Sequence, residues 1–448
     1  MLNQRVANYL NKLVPIAPLI TFRIAFGAVM LFSTIRYIYM GWVDTQLVDP
    51  ILHFSYFGFD WIEPLPRLGM YAVFGLLILS SVGILLGYFY RVATVLFFFA
   101  FTYVELIDIT YYLNHYYFVS IVSFLLIWLP ANQNYSLDVL RKPTIGRKKV
   151  SAWCIDLLKL QIAIVYIYAG LFKINTDWLL EALPLAIWLP AKTSIPIIGG
   201  IFQYQETAYL FSWMGMLFDT FVVFALLFKP TRVLAYIAVV VFHTLTGILF
   251  QIGVFPLVMM LVVTIFFPAT FHERILNRIF KKLKRVNSEE KAHQNNRRNN
   301  SKLVPLLAFF MLFQLLFPWR YLLYPGNIFW TEEGYRFSWR VMLMEKAGTA
   351  TFYVKDGDDG REGSVINSQF LNDHQEKQMA MQPDLILQFA HYLESHFKDK
   401  GMKDPKVRAE VWVTLNGRRA QLLIDPKRDL TKEVDGWKTK DWILPLKQ

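Results

Sequence analysis

The feature that most constrains this chain is the recurrence of long apolar blocks. Nine stretches dominated by apolar residues fall at about 17–39, 68–88, 91–110, 115–130, 151–172, 206–228, 233–250, 253–268 and 303–318. Blocks of roughly 17 to 25 such residues are the length that crosses a bilayer as a helix. The chain has 55% hydrophobic and only 18% charged residues, with 38 Phe, 23 Tyr and 13 Trp, more aromatic surface than a soluble fold hides. The predicted fold class is therefore a membrane all-α bundle of about nine transmembrane helices, followed by a small α+β domain outside the membrane. The boundary is expected at 318/319.

The formal net charge is +12. In a soluble protein that would raise nucleic acid as a partner, but here the basic residues sit in connectors between apolar blocks, so no nucleic-acid partner is expected. Placing the N-terminus in the cytoplasm puts Arg91, residues 141–149, the KPTR turn at 229–232 and the basic segment 271–302 on the inner side. The acidic 41–67 loop, the 174–204 loop and everything after Trp319 then lie outside. Arg23, within the first block, predicts that one face of that helix meets protein rather than lipid. The same arginine and the missing small-residue cleavage site argue against a cleavable leader. Cys154 is the only cysteine, which precludes an intrachain disulfide, and the eight histidines show no metal-ligand spacing, so no metal is expected.

After residue 319 the periodicity changes. TATFYVKD at 349–356 alternates as a strand and ends in a DGDDG turn. Residues 383–398 carry helical spacing behind Pro383. Residues 407–426 read as two strands around Asn416-Gly417, a hairpin signal.

The stretch 161–178, QIAIVYIYAGLFKINTDW, carries the sharpest chemical signal. Lys173 closes an apolar run and is followed by Asn175, Asp177 and Trp178. One reading has the lysine snorkelling into the headgroup layer. The other holds it in an apolar wall, where desolvation disfavours the ammonium and leaves an amine able to take a proton. Asn114 and His115 lie between the third and fourth blocks, and His243 lies inside the seventh. Each histidine has a structural reading beside the functional one. Glu105 and Asp108 approach the same outer level, so several of the few polar groups converge on one end of the bundle.

The chain resembles the vitamin K-dependent γ-glutamyl carboxylase family. The resemblance rests on FRIAFG (22–27), LNHYYF (113–118), VYIYAGLFKINTDW (165–178), VFHTLTGILFQIGVF (241–255), WTEEGYRFSW (330–339) and AEVWVTLNGRRAQLLIDPKRDL (409–430), in order along the chain. It implies an integral-membrane enzyme that converts glutamyl residues of a protein or peptide to γ-carboxyglutamate, using a reduced vitamin K (phylloquinone or menaquinone hydroquinone) with O2 and CO2. The γ-carbon is too weak an acid for any side chain to deprotonate. The family couples that step to oxidation of the hydroquinone to its epoxide, in a site that has to be dry. By resemblance Lys173 is the base, His115 and His243 are catalytic histidines, and Asn114, Trp330, Tyr335 and Trp339 belong to the substrate- or quinone-binding region. Departures from animal members are the lone Cys154, the absent C-terminal extension, and Leu171-Phe172 before Lys173 where those members have a second lysine. They imply a bacterial-type member in an inner membrane. The competing reading keeps the fold as a non-catalytic module that binds lipid or quinone and a peptide partner. A transporter is disfavoured by the lack of an inverted repeat.

Overall fold

A computed structural model describes residues 2–250, 252–280 and 300–447. Among them, seven helices are long and apolar enough to cross a membrane: Ala17–Tyr39, Arg67–Leu86, Tyr90–Ile107, Trp153–Leu171, Gln205–Leu227, Arg232–Phe250 and Leu303–Leu323. The two remaining blocks fold differently from a full span. Asn114–Trp128 is helical over 15 residues, about 22 Å at 1.5 Å per residue, well short of a hydrocarbon core of about 30 Å. It starts late because the Asp108 side chain accepts from Thr110 N at 2.9 Å and turns the chain out of the preceding helix. The eighth block is helical over Phe255–Phe266 and bends by 117° into Ala269–Ile279. Pro268 stands at that break.

One end of the bundle is tied by short polar contacts. Strand β1 (Leu13–Pro15) pairs antiparallel with β2 (Lys149–Ser151). Asp138 accepts from Phe89 N at 2.9 Å and Tyr90 N at 3.0 Å, fixing the turn between the second and third spans. Arg23 is fully buried and donates to Tyr135 O at 2.6 Å, so the first span does turn a face to protein. Gly87 has φ +61°, and a Cβ there would lie 1.7 Å from Arg23 Nη1, so glycine is required on both counts. The basic stretch 141–149 belongs to this end. Of the basic segment 271–302, residues 281–299, with Lys281, Lys282, Lys284, Arg285, Arg297 and Arg298, lie outside the described residues.

The C-terminal domain sits at the opposite end. Its antiparallel sheet has the order β4 (Glu362–Ser364), β3 (Lys346–Lys355), β5 (Lys406–Leu415), β6 (Gln421–Leu422). Alternation along β5 buries Val407, Ala409, Val411, Val413 and Leu415. The amphipathic helix Pro383–Asp399 covers them with Leu385, Ile386, Phe389 and Leu393. The predicted hairpin is present, but β6 shrinks to two residues. Asn416 (φ +50°) and Gly417 (φ +74°) turn the chain, and residues 416–418 leave the ladder for contacts with the membrane domain.

The seam between the two parts is polar and specific. Gln375 Nε2 donates to Asp108 Oδ2 at 2.8 Å and Leu52 O at 2.7 Å. Gln388 and the Ser55 backbone exchange two bonds of 3.0 Å. Trp339 stacks on Tyr117 at 4.9 Å. No disulfide contributes: Cys154 is a buried free thiol at the far end.

Candidate active site

The site forms where the fifth span (Trp153–Leu171) touches the sixth (Gln205–Leu227). Gly170 makes the approach feasible: a Cβ there would lie 2.5 Å from the backbone nitrogen of Thr220. Close to that contact the sequence supplies charge, with Lys173 three residues after Gly170 and Asp219 one residue before Thr220. Lys173 Nζ donates to Asp219 Oδ2 at 2.8 Å and to Ala169 O at 3.1 Å. Both side chains are buried, Lys173 at 5% exposure. The lysine therefore does not snorkel. Nor is its wall wholly apolar, because a carboxylate faces it.

Asp219 was not singled out from the sequence. The signal was there: an acidic residue alone in an otherwise apolar span is expensive unless paired or functional.

Lys173 and Asp219 line a cavity with Tyr166, Trp178, Phe242, His243, Phe250 and Phe255. Its volume is about 760 Å³, mouth included. An apolar cavity with several aromatic rings in its wall suits a flat apolar ring system. Tyr166 Oη and His243 Nε2 are 2.7 Å apart, and His243 Nδ1 is buried with no protein partner. The Trp178 ring lies 5.3 Å from Lys173 Nζ, close enough for a cation–π contact. Asn175 positions it by accepting from Trp178 N at 3.0 Å as the N-cap of Thr176–Leu180, and Trp178 Nε1 donates to Ser212 O at 2.8 Å.

The other expected residues divide. His115 reaches the cavity through one shared ring: Phe255 stacks on His115 at 5.3 Å and meets His243 edge-on at 5.9 Å. Asn114 does not line the cavity. Its Nδ2 donates to Arg340 O at 2.9 Å and its Oδ1 accepts from Tyr112 Oη at 3.0 Å, fastening the 330–340 stretch to the bundle. Directly after that stretch, Val341 and Met342 line the cavity. Trp330, Tyr335 and Trp339 do not line it. Trp330 is buried and donates to Leu444 O at 2.7 Å, Tyr335 packs near Phe329, and Trp339 lies on Tyr117. Among the described residues, no group of three or more His, Cys, Asp or Glu side chains is arranged to hold a metal ion.

Fold and site together define a class: an integral-membrane protein with an amine–carboxylate pair in an apolar cavity, roofed by an α+β domain. Residues 11–271 match the HTTM domain family, and residues 299–448 match the family described as vitamin K-dependent gamma-carboxylase, lumenal domain. The first match alone spans more than half of the chain, and the chain belongs to the vitamin K-dependent gamma-carboxylase family. No solved structure matches it.

Proposed function

We propose that this protein carboxylates glutamyl residues of a protein or peptide substrate to γ-carboxyglutamate, driven by oxidation of a reduced vitamin K-type naphthoquinone with O2 and CO2. The observation that carries the reading is the Lys173–Asp219 pair, facing His243 and Tyr166 in one apolar cavity. The residues fit the cofactor: aromatic walls for the ring system, and an amine, an imidazole and a hydroxyl for its oxygens. When bound, the quinol supplies the oxidative chemistry and, through it, a base far stronger than any side chain.

The chain's own residues then have separable tasks. Lys173 Nζ takes the first proton. It can do so because its resting proton can pass along the 2.8 Å bond to Asp219 Oδ2, leaving a neutral amine beside a neutral acid and no isolated charge in a dry site. Tyr166 and His243, bonded to each other, orient the ring oxygens. His115, on the far side of Phe255, stabilises charge as the glutamyl carbon is deprotonated and CO2 adds. The buried Trp330 and Trp339, with Tyr335, hold the stretch that leads directly into Val341 and Met342 of the cavity lining, and Asn114 ties that stretch down. The polarity we propose has the N-terminus in the cytoplasm of a bacterium and the C-terminal domain outside its inner membrane. The basic connector 141–149 at the far end supports this.

The test is incubation of purified protein with a reduced naphthoquinone, labelled bicarbonate and a Glu-rich peptide. Quinol-dependent label in γ-carboxyglutamate is expected. Quinone binding without label or epoxide would favour the non-catalytic module.

A further inference from the structure

The loop between the fifth and sixth spans supplies one wall of the cavity, through Trp178 and Leu185. What holds that loop from above is a grip from the other domain. Asp177 Oδ1 accepts from Arg418 Nη2 at 2.7 Å, and Oδ2 accepts from Arg418 Nη1 at 2.9 Å and Asn416 Nδ2 at 2.7 Å. This is a two-pronged guanidinium–carboxylate fork, the geometry that fixes orientation as well as distance. Asn416 is itself locked: its Oδ1 accepts from Glu345 N and its own N donates to Glu345 O, both at 2.8 Å. Glu345 Oε2 in turn accepts from Trp188 Nε1 at 2.5 Å, a second hold on the same loop. Gly417 packs so closely on the loop that a Cβ would lie 3.4 Å from Ile187 Cδ1.

We propose that Asn416 and Arg418, at the hairpin tip of the C-terminal domain, are positioning residues that grip Asp177 and thereby keep the Trp178 wall closed over Lys173 against water. The proposal rests on the carboxylase reading for its consequence, though its geometry does not. Burial alone would push the Asp177 carboxyl up, but the bonds from Arg418 and Asn416 bring it below its ordinary value. The grip is thus charged and intact at neutral pH. Asp177 sits four residues from Lys173, next to the indole that covers the amine. Loosening it opens the wall at the place where a strong base has to be shielded from bulk water. Water admitted there would consume the base after quinol oxidation and before carbon transfer.

The test uses the full chain in detergent or nanodiscs, with Arg418→Ala and the conservative Arg418→Lys. One readout is independent of activity. Thr246→Cys, at another position that lines the cavity, is placed in a Cys154→Ala background, and its modification by a charged, water-soluble thiol reagent is timed. Adding Arg418→Ala is expected to speed modification by about tenfold, the scale of losing a charge-assisted bond, with Arg418→Lys between the two. An unchanged rate overturns the proposal. The second readout is the ratio of epoxide to γ-carboxyglutamate. Arg418→Ala is expected to raise it several-fold, whereas a merely structural role would lower both products in proportion and leave the ratio unmoved. If the unsubstituted protein makes neither product, the carboxylase reading fails while the accessibility measurement still judges the grip.

Discussion

Replacing both members of the Lys173–Asp219 pair is predicted to be far gentler than replacing either one. At 2.8 Å, two unit charges attract by roughly 6 kcal/mol at an effective dielectric of about 20. Desolvation costs several kcal/mol per ion, so the net contribution of the intact pair lies near zero. Losing one partner removes the attraction and leaves the desolvation, a penalty of about 3–5 kcal/mol. Lys173→Met and Asp219→Leu should therefore each lower stability strongly. The double variant, with apolar side chains of similar volume, should return close to the unsubstituted protein. The assay is a thermal-unfolding double-mutant cycle in one detergent, with quinol-dependent turnover measured on the same samples. Turnover should be absent from both variants lacking Lys173, however stable they are. A double variant whose loss equals the sum of the single losses would show that the two groups do not interact, and the proton-sharing account would go with it.

Other outcomes follow from the same geometry. His115→Ala is predicted to reduce CO2 incorporation about tenfold to a hundredfold more than epoxide formation, as loss of charge stabilisation would; equal loss of both would make His115 structural or part of quinol oxidation. Ser288→Cys and Lys432→Cys, each in a Cys154→Ala background, should label from opposite faces of the membrane, and labelling of both from one face would overturn the topology. The Asp177 grip should be pH-dependent in one direction. Its carboxyl is held below the ordinary value, so its stabilising effect is present above the ordinary carboxylate range and is lost as pH falls through the lowered folded value, below about pH 4. Amide exchange at 416–418 should accelerate over that window, and Asp177→Asn should flatten the response; a grip loosening near neutrality would contradict the assignment.

Much of the fold was legible because block length and apolarity are what a bilayer selects. The first span begins and ends at the expected residues, and Pro383–Asp399 and β5 fall within a residue or two of the strand and helix patterns. The sequence does not show by length alone that the fourth block stops at 15 residues, or that the eighth bends by 117°. Those breaks are set by the Asp108–Thr110 turn and by Pro268, and they bring Phe255 between His115 and His243. Asp219 escaped notice because an aspartate carries no spacing motif; its meaning depends on Gly170 drawing two spans together. The two-residue β6 was equally hidden. Asn416-Gly417 announces a tight hairpin, and nothing local says that Asn416 and Arg418 are committed to Asp177, 239 and 241 residues away.

The most direct measurement compares Lys173→Ala and Lys173→Arg for epoxide and γ-carboxyglutamate in a single reaction. Both variants should still bind the quinol, and both should lose both products by at least about a hundredfold, the lower end of what a positioned base contributes. Arginine does not rescue because its guanidinium stays protonated and cannot accept the proton. A small added amine should restore part of the activity of Lys173→Ala and none of Lys173→Arg. Near-normal turnover in Lys173→Arg would contradict the account, because a cation that never gives up its proton would then be doing everything asked of the base.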